Sequence, residues 1–356
     1  MNRKQFMRTL ALAAAGSAII PRIASAPALP KKWTPPPPVP ALPQTPLPGI
    51  FSDDGWTFAL LPDTQLYAAD HPEVYLRQTQ WLAARKDHLK LCFVAHEGDI
   101  VHTNTHPEWL AARHAMSELN RARIPYSLAT GNHDTGPWGN TADRATLLND
   151  YFTNRDYRHS KASGLCERSR VENSWHKIAT PHGDKLVISL EFGPRATVLD
   201  WANKIVSENA ALDTIVVTHA FMYYDDTRYD WAQKGTKQRW NPHSYPLAKE
   251  PGDVTDAAEM WERFISKHAN IRFVLSGHVL ETGVARLSTP GKDGRPVHQL
   301  LANYQSGVKP ERGYGGGGFL RLMRFAADRK TVAVKTYSPW YDQWLDEPAH
   351  DFAVEL

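Results

Sequence analysis

Cysteine is scarce in this chain, with only two among 356 residues. Cys92 lies in an apolar run and Cys166 in a polar stretch that we predict to be a loop, so we expect no bond between them. The sequence therefore excludes a small scaffold held together by disulfides. Stability has to come from an apolar core, and a chain of this length with 42% hydrophobic residues can form a large one.

A strong charge of one sign is also lacking, since the formal net charge is only +3. Residues 1–26 hold four basic residues and no acidic one, so the remainder carries +3 − 4 = −1. A chain with this balance offers no broad basic surface for nucleic acid. We therefore expect no nucleic-acid partner.

Long apolar runs are lacking as well, and none reaches the ~20 residues that a membrane-spanning helix needs. The apolar run at residues 10–20 follows a basic start and precedes Ala24-Ser25-Ala26, which is typical of a secretory signal with its cleavage site. The segment Arg3 to Arg8 resembles a twin-arginine signal, with Lys4 where the second arginine is expected. We predict a signal peptide over residues 1–26 and a periplasmic or extracellular protein without a membrane span after signal removal. An uncleaved anchor is the alternative.

Residues 27–49 include the run Pro35 to Pro38 and are expected to form an extended, proline-rich linker. Residues 50–356 show neither an internal repeat nor a second domain with its own core. We therefore expect one domain there, with a β-rich C-terminal part.

Apolar runs alternate with helical patterns from Trp56 onward, which predicts a βαβαβ unit with a parallel, buried sheet. Further strands and helices are predicted along the rest of the chain. The predicted strands are 57–61, 91–95, 126–129, 174–179, 185–190, 214–218, 271–275, 297–302, 319–325 and 331–337. The predicted helices are 73–88, 107–119, 140–152, 195–208 and 255–268.

Two stretches are unusual in composition. Residues 223–252 are polar and aromatic, and they are longer than an ordinary connection, which predicts a functional loop or rim insert. The four glycines at 315–318 lack a following helix and a Lys-Ser/Thr pair, so we expect a mobile turn and not a phosphate-binding loop. Aromatic residues are candidates either for a substrate cleft or for core packing: Trp138, Tyr223, Tyr224, Tyr229, Trp231 and Trp240.

Polar side chains follow five of the predicted strands, at the point where each strand ends. The residues are Asp63 with Gln65, Asp99, Asn132 with His133, His219, and His278. The carboxyl ends of parallel strands meet at one edge of a sheet, where α/β proteins place their sites. Carboxylate, amide and imidazole groups are ligands for Mn²⁺, Fe or Zn²⁺. Each residue alone is compatible with an ordinary turn or a hydrogen-bonded histidine, but the five together predict a metal site.

In this order the motifs resemble the calcineurin-like metallophosphoesterase superfamily. Its signature runs Asp-x-His, Gly-Asp, Gly-Asn-His-Asp/Glu, a lone His, and Gly-His-x-His. The resemblance covers roughly residues 56–340 and implies an α/β fold, a four-layer α/β/β/α sandwich of two mixed sheets flanked by helices. A secreted branch of the superfamily is similar in further motifs, which are here Asp63-Thr64-Gln65, Asn303-Tyr304-Gln305, 315–318 and Tyr337-Ser338-Pro339.

The resemblance implies a site for two divalent metal ions, of Mn, Fe, Zn or Mg. Asp99 would bridge both metals. The other ligands would divide between the two, with Asn132, His219 and His278 on one and Asp63 and Gln65 on the other. His133 would be the proton donor, oriented by Asp134.

The chain departs from the superfamily pattern at two positions. Gln65 stands where the first motif has His, and Leu280 stands where Gly-His-x-His has its last His. Both would serve the same metal, which should therefore be held more weakly and by more oxygen atoms, favouring Mn²⁺ or Mg²⁺. Candidate replacement ligands are Glu281, His96 and His102, of which His96 is better placed as a residue beside the ligands.

The function that these features imply is an exported, metal-dependent hydrolase of phosphate mono- or diesters, in which a metal-bound hydroxide attacks phosphorus. Its partner would be a small-molecule phosphate ester. The alternative from another class is a secreted binding protein on a decayed phosphoesterase scaffold, and a milder alternative is a mononuclear enzyme.

Overall fold

The computed structural model describes residues 41–305 and 314–356. The predicted signal peptide and most of the predicted linker lie outside these ranges. Residues 41–48 form no helix or strand and lie along the helix Pro72–Leu89. Arg77 there donates to the carbonyl of Ala41 at 2.9 Å, and Arg85 donates to that of Pro43 at 3.1 Å.

The described residues form fourteen strands in two sheets. In chain order they are β1 (Trp56–Leu61), β2 (Leu91–His96), β3 (Tyr126–Leu128), β4 (Ala162–Glu167), β5 (Arg170–Ile178), β6 (Lys185–Ser189), β7 (Thr214–Val217), β8 (Ile271–Ser276), β9 (Val284–Pro290), β10 (Pro296–Ala302), β11 (Leu320–Phe325), β12 (Thr331–Ser338), β13 (Gln343–Leu345) and β14 (Phe352–Glu355).

Both sheets are mixed. The first has the order β13-β12-β11-β1-β2-β3, with β14 also paired to β12, and its strands β1, β2 and β3 are parallel. The second has the order β4-β5-β6-β7-β8-β10-β9, and β6, β7, β8 and β10 are parallel. The remaining pairs in each sheet are antiparallel.

Seven α-helices are described: α1 (Gln65–Asp70), α2 (Pro72–Leu89), α3 (His106–Arg121), α4 (Leu148–Tyr151), α5 (Ala196–Glu208), α6 (Trp231–Lys234) and α7 (Ala257–Arg263). Particular residues determine where two of these helices begin and end. At the start of α3, Thr105 and Glu108 form a capping box that satisfies free backbone N–H groups. At the end of α2, Lys90 takes a left-handed conformation with φ of 48°.

Three apolar cores define the layers. Phe58 and Phe93 of the first sheet pack with Val217 and Phe273 of the second, so the two sheets lie face to face. The other face of the first sheet packs against α2 and α3, through side chains that include Trp81. The other face of the second sheet packs against α5 and α7. The predicted four-layer α/β/β/α sandwich is therefore confirmed.

Each predicted strand is present, with ends displaced by a few residues, and so are the helices predicted at 73–88, 107–119 and 195–208. The helix predicted over 140–152 is wrong, since only Leu148–Tyr151 is helical. The residues between 140 and 147 are not helical. The guanidinium of Arg144 donates to the carbonyl groups of Phe192, Gly193 and Asp253 at 2.6–2.9 Å, which holds this segment against the second sheet's loops instead.

Three smaller predictions need correction or refinement. The helix predicted over 255–268 is α7 followed by one 3-10 turn, with a break at Phe264. Cys166 lies in strand β4 and not in a loop, and both cysteines are free, as expected. The four glycines do form a turn, with positive φ at all four, and a Cβ on Gly318 would lie only 2.9 Å from Val74. The turn is therefore packed against the start of α2.

Within residues 41–305 and 314–356, no helix is both long enough and apolar enough to cross a membrane.

Candidate metal centre

The residues predicted as ligands all follow strand ends at one edge of the two sheets. Their strands are β1, β2, β3, β7 and β8. All six are at least nine-tenths buried, with exposed fractions of 0–7%: Asp63, Gln65, Asp99, Asn132, His219 and His278. Buried polar groups are costly unless they find partners, so the partners of each one decide what the site can bind.

Three of these side chains converge on one point. Nε2 of His219 lies 3.2 Å from a carboxylate oxygen of Asp99. Nδ1 of His278 lies 3.2 Å from the same Nε2. Potential ligand atoms of the three side chains all lie within 4.8 Å of one another, which is a spacing that a single cation can span.

Backbone carbonyl groups set the tautomers of both histidines. Nδ1 of His219 lies 2.9 Å from the carbonyl of Glu97, and Nε2 of His278 lies 2.8 Å from that of Trp240. A carbonyl only accepts, so each of these nitrogens carries a proton, and in the neutral form of each ring the facing nitrogen has a lone pair. Burial, together with His219, lowers the pKa of His278 to about 3, which keeps that ring neutral.

Asn132 adds a fourth acceptor. Its Nδ2 donates to the carbonyl of Gly139 at 3.1 Å, which fixes the amide, and its Oδ1 is buried without a hydrogen-bond partner. A carboxylate, two imidazole nitrogens and an amide oxygen form a donor set that suits a divalent metal. The residues present therefore fit one metal ion at this position.

Asp63 and Gln65 form the other half of the predicted site. Both oxygens of Asp63 accept from the backbone N–H of His278, at 3.1 and 3.2 Å. Burial and the carboxylates of Asp99 and Glu97 raise the pKa of Asp63 well above its usual range. Gln65 donates from Nε2 to Asp99 at 3.0 Å, and its Oε1 is buried without a partner. This half offers oxygen atoms alone, and a cation there would offset the negative charge.

The backbone at the site is held in a conformation that side-chain-bearing residues rarely adopt. Asp63, Asp99 and His278 have φ values of 40°, 50° and 75°. Such conformations cost free energy and cluster at functional sites. At Gly98, which has φ of 100°, a Cβ would lie 2.6 Å from the nitrogen of Gly131, so the Gly-Asp motif needs glycine for close packing as well.

His133 lies at the mouth of the centre, half-buried. Its backbone N–H donates to Asp99 at 2.9 Å, and its Nδ1 lies 2.8 Å from the carbonyl of His102. The ring of His102 stacks on it, with centroids 4.9 Å apart. Nδ1 is therefore the protonated nitrogen, and Nε2 is left to exchange a proton with a bound molecule.

The structure corrects the predicted role of Asp134. Its carboxylate accepts three backbone N–H groups, from Ile100 and Val101 on one oxygen and Gly131 on the other, at 2.7–3.0 Å. The carbonyl of His102, and not Asp134, holds the ring of His133. Asp134 joins the loop after β2 to the loop after β3, so it positions the site without a hydrogen bond to the ring of His133.

We expect Asp134→Ala to lower the free energy of unfolding by roughly 3 kcal/mol or more, because it leaves three buried N–H groups without an acceptor. Urea titration of the metal-free protein checks this. The exposed Asp150→Ala is the control and should change stability by less than about 0.5 kcal/mol. An Asp134→Ala protein of unchanged stability would contradict this role.

The three candidate replacement ligands do not reach the centre in this arrangement. Both ring nitrogens of His96 are used, by Thr64 and by the N–H of Gly98, so its placement beside the ligands agrees with the prediction. Glu281 is exposed and lies 3.9 Å from Arg239. His102 stacks on His133 at the mouth.

A pocket of about 400 Å³ opens above Asp99, Asn132, His133 and His278. The predicted rim insert contributes to its wall, which also includes Trp138, Trp240, Ser244, Tyr245, Pro246 and Gln305. Of the six aromatic candidates, Trp138 and Trp240 line the pocket. Tyr223 and Tyr229 belong to the core, Trp231 stacks on His243, and Tyr224 lies elsewhere on the surface.

Sequence reasoning missed one residue beside the site, whose backbone carbonyl holds the ring of His219. Glu97 is fully buried, and neither of its carboxylate oxygens has a hydrogen-bond partner. The available signal was an acidic residue at the end of an apolar strand, directly before Gly98-Asp99.

Comparison with known proteins gives the following. No protein-family model matches the chain. An uncharacterized protein of Bacillus subtilis (strain 168), YvnB, is 27% identical over 293 residues, which are 81% of this chain; the chain spans only 20% of that protein's length.

Among solved structures, the chain is similar to a dimetal phosphatase from Danio rerio, with 10% identity and a TM-score of 0.47 over 85% of this chain and 99% of the other. It is also similar to a purple acid phosphatase from yellow lupin (Lupinus luteus) seeds, with 13% identity and a TM-score of 0.48 over 86% and 54% of the two chains. The case for a metal centre therefore stands on the side chains: an aspartate and two histidines whose possible ligand atoms lie within 4.8 Å of one another.

Proposed function

We propose that this protein is an exported, metal-dependent phosphoesterase that hydrolyses phosphate mono- or diesters. The observation that carries the proposal is the cluster of Asp99, His219 and His278, whose possible ligand atoms lie within 4.8 Å of one another. The amide oxygen of Asn132, which lines the same pocket, is buried without a hydrogen-bond partner. Such an arrangement is unfavourable without a cation and well suited to one. Asp99, Asn132, His219 and His278 would hold one metal, and Asp63 and Gln65 would contribute to a second.

Divalent cations there would neutralise the oxygens of a bound phosphate ester and lower the pKa of a water, so that it can attack phosphorus near neutral pH. The side chains of this chain supply the remaining functions. Asp99 has two carboxylate oxygens, one near His219 and the other near Gln65, so it faces both halves of the site.

His133 is proposed to give a proton to the leaving oxygen. Its Nδ1 is occupied by the carbonyl of His102, which leaves Nε2 for a molecule in the pocket. An imidazole is suited to this role because its usual pKa of ~6.5 lets it carry and release a proton near neutral pH. Trp138 and Trp240 at the pocket wall would contact the organic part of the ester.

A non-catalytic binding protein is the second candidate, motivated by Gln65 and Leu280 at positions where the motifs have histidine. The intact arrangement around Asp99 favours the enzyme, because a pure binder gains nothing from strained backbone and free lone pairs at one point. A mononuclear enzyme would use the Asp99 half alone.

An ester assay separates these candidates. We expect the full chain to lose hydrolysis of p-nitrophenyl phosphate or its bis ester after treatment with a chelator, and to regain it with Mn²⁺. The exposed Asp87→Asn variant should behave like the unaltered protein. No metal-stimulated hydrolysis of either ester, in a protein that binds metal, would favour the binding protein.

A further inference from the structure

Trp138 is the most exposed large hydrophobic side chain among the described residues, with an exposed fraction of 73%. A single exposed aromatic residue is not unusual by itself. The backbone of Trp138, however, has φ of 58°, a conformation that is rare for bulky residues and costs free energy. The chain therefore holds this ring in solvent on a strained backbone, and it does so at the wall of the pocket above the metal centre.

Gly139 places Trp138 next to the proposed proton donor. A Cβ on Gly139 would lie 2.5 Å from Nε2 of His133 and 2.6 Å from Nδ2 of Asn132, so the backbone of Gly139 lies directly against both side chains. The carbonyl of Gly139 also accepts the hydrogen bond that fixes the amide of Asn132. The segment that presents the tryptophan therefore also positions a predicted metal ligand and contacts the donor nitrogen.

Three rings form a row at this side of the pocket. The ring of His102 stacks on that of His133, and Trp138 meets His102 at 88° with centroids 5.3 Å apart. This edge-to-face contact covers at most one face of the indole, which agrees with its exposure. A leaving group that receives its proton from His133 would therefore lie on the side of the pocket that carries Trp138.

The other tryptophan of the pocket wall offers less free surface. The guanidinium of Arg239 lies 4.4 Å from the centroid of the Trp240 ring and covers one face of it. The carbonyl of Trp240 holds Nε2 of His278, so this residue belongs to the side of the pocket where the metal ligands lie. Of the two tryptophans, Trp138 is thus the one with an aromatic face open to a bound molecule.

The charge of the pocket wall also limits what the organic group can be. The described residues that line the pocket include no lysine and no arginine. Such side chains are the usual partners of phosphate and carboxylate groups. An organic group with further negative charge would find no cationic side chain in this lining, whereas a neutral ring would need none.

We infer that the leaving group of the ester carries a planar aromatic ring, and that Trp138 is the platform on which this ring stacks. The inference rests on the proposed function and adds the substrate class to it. Stacking requires a flat partner, and it stabilises a pair of aromatic rings beyond what their buried area gives. A planar ring is the chemistry that a phenyl group and a nucleobase share.

The test compares two esters of primary alcohols, benzyl phosphate and cyclohexylmethyl phosphate, of which only the first has a planar ring. We load the full chain with Mn²⁺ and measure kcat and KM for each. The unaltered protein is expected to favour benzyl phosphate by about tenfold in kcat/KM, mainly through KM. Trp138→Leu keeps an apolar side chain without a ring and should abolish the preference, and Trp138→Phe should retain part of it.

Tyr224→Leu is the matched control, because Tyr224 is also an exposed aromatic residue and lies away from this pocket. It should keep the full preference. Adenosine 5′-monophosphate and ribose 5-phosphate then show which kind of ring is bound, because the leaving oxygen is of the same type in both. A preference for the nucleotide that depends on Trp138 assigns the ring to a nucleobase. A preference confined to benzyl phosphate assigns it to a phenyl-sized group.

Binding without turnover separates this inference from the proposed function. Benzylphosphonate and cyclohexylmethylphosphonate have no ester bond to break, and calorimetry gives their Kd on the Mn²⁺-loaded chain. If no ester is hydrolysed, the proposed function fails, while a preference of about tenfold for benzylphosphonate that Trp138→Leu removes still supports the platform. If the two esters are hydrolysed with equal kcat/KM, or if Trp138→Leu keeps the preference, the platform is overturned and the phosphoesterase stands. Neither hydrolysis nor a preference in binding would overturn both.

Discussion

Asp99→Asn is expected to lower turnover of any phosphate ester by at least about 10³-fold. Losing one preorganised electrostatic group at an active site typically costs ~10²–10³-fold. Asp99 should lie at or above the upper end, because its oxygens face both halves of the centre and accept from His133 and Gln65. An amide keeps the shape, supplies only one acceptor oxygen and cannot neutralise two cations. The loss corresponds to about 4 kcal/mol of transition-state stabilisation.

Turnover and metal content are measured together for this variant. The expected result is a folded protein with less bound metal and almost no hydrolysis at any metal concentration. Asp87→Asn makes the same chemical change at an exposed position and should leave both quantities unaltered. Full activity in Asp99→Asn would remove the basis for the proposed reaction.

His133→Ala is expected to slow substrates with poor leaving groups far more than aryl esters. A positioned general acid contributes ~10²–10⁴-fold when the leaving oxygen needs a proton. A p-nitrophenolate leaves without one, so its ester should lose less than about tenfold. The geometry that supports this expectation is the ring of His133 at the pocket wall, held by the carbonyl of His102.

The measurement is kcat for an alkyl phosphate and for p-nitrophenyl phosphate in the same preparations. Asp134→Ala is the comparison variant, because the side chain of Asp134 supports backbone and makes no hydrogen bond to the ring of His133. Its losses should be the same for both esters. Equal losses for both esters in His133→Ala would count against a proton-donor role.

The sequence predicted the fold well where elements are buried on both faces. Strands β1, β2, β7 and β8 consist mostly of apolar residues and are almost entirely buried, so their pattern cannot be satisfied at a surface. The strand Val284–Pro290, by contrast, lies at the edge of the second sheet and is half exposed. Few apolar residues mark such a strand, so its pairing with β10 became visible only in three dimensions.

The same limit applies within the site. The order of motifs was enough to name the residues that gather around Asp99, since each follows a strand end. It was not enough to say which group holds His133. The carbonyl of His102 does so, and no side-chain pattern marks a carbonyl. Asp134 follows His133 directly in sequence, yet its carboxylate turns toward the loop after β2.

Glu97 shows a further reason why local patterns fall short. Its position next to Gly98-Asp99 is plain in the sequence, but the sequence does not show that its side chain is fully buried with neither carboxylate oxygen in a hydrogen bond. Arg321, which comes from a distant strand, is the cation that acts on the charge of Glu97, although its guanidinium donates hydrogen bonds to carbonyl groups. Only the packing of the two sheets brings these facts together.

The most direct test of the metal centre is the metal content of the full chain after loading with Mn²⁺, measured by elemental analysis alongside hydrolysis of p-nitrophenyl phosphate and its bis ester. We expect about two metal ions per chain, one at the Asp99 half of the centre and one at the Asp63 half, and an activity that rises with metal content. A folded protein that binds no metal would contradict the central claim, because the lone pairs of His219 and His278 would then face each other for another reason.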